Sequence, residues 1–162
     1  MTFDSKSAWI RAATESDTVA MIPVANAAFA IETFLDGPRT DEQRMLEMMQ
    51  KGKFLLAEDS SGSVGALVYV ELRGERGYFG MLAVDPSQQG TGLGRVMVTA
   101  AEDHCRQNGC AHMDISVLSL RPELVPFYRK LGYQETSREE FRPTRPLKDG
   151  LACHALVMSK AL

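Results

Sequence analysis

The stretch Leu82-Ala83-Val84-Asp85-Pro86-Ser87-Gln88-Gln89-Gly90-Thr91-Gly92-Leu93-Gly94-Arg95 sets glycines at alternate positions just ahead of an apolar run with helical spacing. Glycine permits positive φ and close backbone approach. Successive N–H groups there can converge on anionic oxygens, and the N-terminal dipole of the following helix also favours negative charge. The chemistry implied is binding of a diphosphate-bearing ligand. Two nucleotide motifs fail on particular residues. A P-loop needs Lys followed by Ser or Thr after its last glycine, whereas Gly94 is followed by Arg95 and Val96. A dinucleotide fingerprint begun at Gly90 meets Arg95 where glycine or alanine is required, and one begun at Gly92 meets Met97.

Gln89, Gly92 and Gly94 do fit a Q/R-x-x-G-x-G/A pattern, preceded by Leu82, Val84 and Pro86 as Leu-x-Val-x-Pro. Further on, Phe127-Tyr128-Arg129-Lys130-Leu131-Gly132-Tyr133 is similar to an FYxKxGF element. With both motifs at this separation the chain resembles the GNAT superfamily of acyl-CoA N-acyltransferases. The resemblance implies acetyl-CoA as cosubstrate and a loop that wraps its diphosphate through the backbone of Gln89, Gly90, Thr91, Gly92, Leu93, Gly94 and Arg95. Side chains of Gln89 and Arg95 could add contacts. It also implies that Leu82, Ala83 and Val84 lie on a strand that splays from a parallel neighbour and holds the pantetheine arm. The Leu82 N–H would then be an oxyanion donor to the thioester. Tyr128 matches the position that supplies a hydroxyl to the CoA sulfur, as general acid. Arg121 stands at the approximate place of a pantetheine-binding asparagine in relatives and could instead reach a CoA phosphate.

The implied reaction is direct attack of a primary amine on the acetyl carbonyl. An alkylamine has a pKa of about 10.4 and must first lose a proton. Where many relatives carry a basic glutamate, this chain has Tyr78, Phe79, Gly80 and Met81. Glu71 and Glu32 are the remaining candidate bases, acting through water, with solvated surface charge as the competing reading of each. The acceptor pocket falls to residues 31–39 and 141–152. There Arg142, Arg145 and Lys148 read as a solvated loop or as an attraction for an acidic group. A small-molecule amine is the expected acceptor. The alternative is an acyl-CoA-binding sensor without turnover, motivated by the missing glutamate, and transfer of longer acyl groups is a third reading. A homodimer is left open.

The elements that must position these residues follow from patterning. Trp9–Ala12 reads as a first strand, and Thr14 or Ser16 as cap of a helix over 19–34. Thr40 or Asp41 caps a second helix that buries Met45, Leu46, Met48 and Met49. Strands over 54–58 and 64–72 join across a polar turn, and a further strand over 78–84 ends at Pro86. Leu93, Val96, Met97 and Ala100 give a helix one apolar face. A strand at His112–Leu118, a short helix over 124–131, and strands over 133–141 and 154–158 complete the order. The expected fold is mixed α/β, a largely antiparallel sheet of about six to seven strands flanked by about four helices, as one domain over 1–162.

Composition agrees with that reading and excludes others. Hydrophobic residues make up 44% and charged residues 24% of the 162-residue chain, enough to bury a core. A net charge of -3 offers no general attraction to nucleic acid, and no apolar run is long enough to span a membrane. Cys105, Cys110 and Cys153 form no CxxC pair, which points to a reducing cytoplasm. With His104, His112 and His154 they make no zinc pattern, so no metal is expected.

Overall fold

Apolar residues run almost unbroken along β2 (Lys53–Glu58) and β3 (Val64–Arg73), a pattern that demands cover on both faces. The computed structural model describes residues 9–141 and 145–162 and supplies that cover. α1 (Thr18–Ala28) and α2 (Glu42–Lys51) pack on one face, against Phe54, Leu56, Leu67 and Tyr69. α3 (Leu93–Gln107) and α4 (Leu124–Lys130) pack on the other, against Leu55, Ala57, Val68 and Val70. Alternate residues of the same two strands thus feed two cores, as a period of two requires.

With β1 (Trp9–Ala12), β4 (Arg76–Val84), β5 (His112–Leu118), β6 (Gln134–Glu140) and β7 (His154–Ala161), the sheet runs β1-β2-β3-β4-β5-β7-β6. Every neighbouring pair is antiparallel except β4 with β5. That exception follows from α3, which crosses over from the end of β4 to the start of β5. The seven strands and four helices match the mixed, largely antiparallel expectation.

Two local differences matter for the site. The first helix does not reach residue 34: α1 ends at Ala28 and tightens into a 3-10 turn at Phe29–Ile31. Glu32, at φ -79° and ψ 64°, leaves helical geometry with its side chain buried. The second difference is a clip between the two segments expected to form the acceptor pocket. Leu35 pairs with Leu147, Asp36 N–H donates to Pro146 O at 2.9 Å, and Lys148 N–H donates to Phe34 O at 3.0 Å. At the start of α2, Asp41 accepts from Arg44 N–H at 2.9 Å and is the helix cap.

Candidate active site

β4 and β5 pair over only three registers, Arg76 with His112, Gly77 with Met113 and Tyr78 with Asp114. Arg76 grips Asp114 through two hydrogen bonds of 2.7 Å and pins this end of the pair. Beyond it the strands diverge, so the β5-facing backbone edge of β4 from Phe79 onward has no ladder partner. A bulge compounds the opening. Val68 of β3 lies opposite both Met81 and Leu82, because Leu67 pairs with Ala83 and Tyr69 with Gly80. Met81 takes φ 48°, a left-handed value uncommon for a non-glycine residue. The bulge reverses the facing of the strand: Phe79 belongs to the α3 core, whereas Met81 and Ala83 belong to the α1 core. Leu82 and Val84 are thereby turned toward the gap, where both line a cleft of about 1280 Å³.

The cleft continues to the N-terminus of α3. Gly90 and Gly92 adopt φ of 83° and 84°, and a Cβ on either would meet no atom within 4 Å. Gly92 is the N-cap, and having no side chain it caps nothing. The N–H groups of the first helical turn therefore face the cleft without an intrahelical acceptor. Gly90, Gly92, Leu93, Gly94 and Arg95 line this part, with Arg95 exposed at the rim. The turn before it is held by Asp85, which accepts from Ser87 N–H at 2.9 Å and from its hydroxyl at 2.6 Å. Gln89 reaches back to Val84 O at 3.5 Å. This open, positive helix end is suited to an anionic, phosphorylated ligand.

At the junction of the two parts lies Tyr128 of α4, buried at 8% exposure and packed in ring contact with Phe79, Phe127 and Tyr133. Its hydroxyl has no hydrogen-bond partner among the described residues. Burial raises its pKa, so the phenol stays protonated through the neutral range. Further along, Glu32 accepts from Arg145 at 2.5 Å and from Arg121 at 2.9 Å, and Arg121 also donates to Glu123 at 2.5 Å. Arg39 lies beside this group, its guanidinium 5.1 Å from the centre of the Phe29 ring.

A family model described as acetyltransferase (GNAT) domain matches residues 15–144. The chain belongs to this family. A mycothiol acetyltransferase of Propionibacterium freudenreichii is 26% identical over 143 residues, covering 83% of this GNAT chain and 46% of its own length. The chain thus spans about half the length of the curated relatives it matches. Among solved structures, the ribosomal-protein-S18-alanine N-acetyltransferase of Escherichia coli superposes with TM-score 0.78 at 18% identity, covering 95% of this chain and 93% of that one. A phosphinothricin acetyltransferase of Sinorhizobium meliloti in complex with acetyl-CoA gives TM-score 0.73 at 18% identity, over 96% and 89%. At these identities the structural likeness establishes the fold.

Most residues singled out in this GNAT sequence line one cleft: Leu82, Val84, Gln89, Gly90, Gly92, Leu93, Gly94, Arg95, Arg121, Tyr128 and Glu32. Ala83 packs into the α1 core and Thr91 donates to Gln88 O at 2.6 Å; neither lines the cleft. Glu32 is no solvated charge, since at 5% exposure both carboxylate oxygens are occupied by arginines. Arg121 and Arg145 are likewise committed to Glu32, which corrects the reading of Arg145 as a solvated loop residue. Glu71 lies off the cleft. Although partial burial opposes it, hydrogen bonds from Arg73 at 2.8 Å and Tyr69 at 2.7 Å hold its pKa below the usual carboxylate range. Lys148 is exposed, and Arg142 lies outside the described residues.

Arg39, Phe29 and Tyr78 also line the cleft. No spacing rule singled them out; the packing of the first helical segment on β4 brings Phe29 and Tyr78 to one core, and Arg39 stacks on Phe29. Among the described residues no group of His, Cys, Asp and Glu could hold a metal, and no helix is long and apolar enough to cross a membrane.

Proposed function

We propose that this chain is an acetyl-CoA-dependent N-acetyltransferase acting on the primary amine of a small molecule. The observation that carries the reading is the continuity of one cleft. It runs from the uncapped helix end at Gly92, through the splayed and bulged strand at Leu82, to the hydroxyl of the largely buried Tyr128. Its volume of about 1280 Å³ exceeds the roughly 300–1,000 Å³ usual for a single small ligand, leaving room for cosubstrate and acceptor together. The open space over the glycine backbone fits a diphosphate.

In this reading the backbone N–H groups of Gly92, Leu93, Gly94 and Arg95 bind the diphosphate, and the free edge of β4 at Leu82 and Val84 orients the pantetheine arm. The Leu82 N–H donates to the thioester oxygen as charge develops there. The amine nitrogen bonds to the carbonyl carbon, the carbon–sulfur bond breaks, and in net one proton passes from nitrogen to sulfur. Tyr128 acts at the sulfur. A thiol pKa lies near about 8.5 and a phenol near about 10 before burial raises it, so complete transfer from Tyr128 to the thiolate is uphill. Its hydroxyl instead stabilises the leaving thiolate by a hydrogen bond, and water brings the amine-derived proton. Glu32, clamped by two arginines, does not serve as base.

The chain reads as one domain, and its free cysteines support a reducing compartment such as the cytoplasm. Release of CoA thiol on mixing with acetyl-CoA and a broad panel of amines tests the reading. No release with any amine, despite acetyl-CoA binding, would favour a sensor that binds the cosubstrate without turnover.

A further inference from the structure

The far end of the cleft is lined by Arg39, Arg121 and Arg145 together with Glu32, Glu139 and Glu140. Arg145 and Arg121 share Glu32, and Arg121 also holds Glu123. Glu139 and Glu140 also line the cleft from β6; Glu139 is near enough to Tyr78 to help raise its pKa, and Glu140 has a partner of its own. Arg39 is left over. Among the described residues it makes no hydrogen bond and no ion pair, only the stacking on Phe29.

Its position is fixed. Thr40 next to it is buried and anchored at both backbone groups by Asn26, whose side chain accepts from Thr40 N–H at 2.9 Å and donates to Thr40 O at 3.2 Å. That anchor fixes the backbone beside Arg39, whose guanidinium stacks on Phe29 at the cleft wall with Glu32, Arg145, Tyr78 and Arg44 as its electrostatic neighbours. Arg39 is half-buried in the cleft wall, and because a guanidinium does not shed its proton under ordinary conditions, a bonded anion would offset the cost of that partial burial. Burial does pull the Arg39 pKa down, as expected of a cation lacking a bonded anion. The planar fork of donors matches a carboxylate or phosphate. This end belongs to the α1 side of the sheet, whereas the α3 helix end lies on the opposite face.

We propose that the acceptor carries an oxyanion, a carboxylate or a phosphate, a few bonds from its amine, and that Arg39 receives it. The inference rests on the acetyl-transfer reading and adds to it the chemical class of the acceptor. Matched pairs test it: phenylalanine against phenethylamine, and O-phosphoethanolamine against ethanolamine. Each is assayed for CoA thiol release and for the thermal midpoint of the CoA-saturated protein, in wild type, Arg39→Gln and Arg39→Lys. The oxyanion-bearing member of at least one pair is expected to be preferred by roughly 10- to 100-fold in kcat/KM. Which pair responds tells carboxylate from phosphate. Arg39→Gln collapses that ratio, and Arg39→Lys keeps part of it. No oxyanion preference in either readout overturns the inference, as does a ratio unchanged in Arg39→Gln. Loss of the acetyl-CoA-induced midpoint shift in Arg39→Gln also overturns it, since Arg39 would then serve the cosubstrate. Absence of that shift in wild type contradicts the acetyl-transfer reading itself, and the inference falls with it.

Discussion

Arg145 donates to the buried carboxylate of Glu32 at 2.5 Å, a contact between residues 113 positions apart. Arg121 reaches the same carboxylate from 89 positions away at 2.9 Å. One acidic side chain therefore ties the end of the first helical segment, the loop before α4 and the connection before β7 into a single cleft wall.

Replacing that carboxylate removes the buried Arg145 guanidinium's carboxylate partner and one of the two carboxylates held by half-buried Arg121. Glu32→Gln is expected to lower stability by about 3–5 kcal/mol, the range for removing one partner of a buried ion pair. Chemical denaturation checks this. A loss below about 1 kcal/mol would mean that water already screens the group.

Tyr128→Phe removes a hydroxyl that bonds to no described residue, so the unfolding midpoint is expected to change little. Turnover is expected to fall about 100-fold with KM for acetyl-CoA little altered, because the lost hydrogen bond forms only as the thiolate leaves. Steady-state kinetics with saturating amine separates the two constants. Equal losses in binding and turnover would make Tyr128 a packing residue.

All four tyrosines, Tyr69, Tyr78, Tyr128 and Tyr133, have raised pKa values, with burial the first cause in each. Above about pH 10 the unfolded chain loses phenolic protons that the native protein keeps. The unfolded state then binds fewer protons, so stability is full below that pH and declines as pH rises toward the native values. Thermal midpoints between pH 8 and 11, with phenolate absorbance appearing only on unfolding, check the sign. Gradual phenolate absorbance in the folded protein near pH 10 would contradict it.

Glu71→Gln is expected to lower turnover less than about threefold, because its carboxylate is engaged by Arg73 and Tyr69 off the cleft. A drop of about 100-fold or more, the size of general-base catalysis, would return Glu71 to the mechanism.

Much of this was legible in the sequence. Local patterns located the glycine-rich helix entry, the seven strands and the Asp41 cap, since each depends on neighbours a few residues apart. What escaped depends on distant partners. Glu32 reads as a candidate base or a surface charge because nothing near it in the chain announces Arg121 or Arg145. Residues 31–39 are expected at the acceptor pocket, but Arg39 carries no signal of its own there, because its stacking on Phe29 and the Asn26 anchor of Thr40 arise only after the chain folds back. The bulge at Met81 was equally hidden: its left-handed φ falls on a residue type that gives no signal for it.

The most direct test of the central claim is thermal unfolding with and without saturating acetyl-CoA, with Gly92→Asp as control. At Gly92 a Cβ has open space but φ is 84°, so the variant carries backbone strain of about 1–2 kcal/mol and serves as control once its own unfolding transition shows that it is folded, with a carboxylate where the diphosphate binds. At a hundredfold excess over Kd, binding to the native state adds about 2.7 kcal/mol, a rise on the order of 5–10 °C at this chain size. The account predicts that rise in the wild type and its absence in folded Gly92→Asp. No shift in the wild type at saturating acetyl-CoA would contradict it.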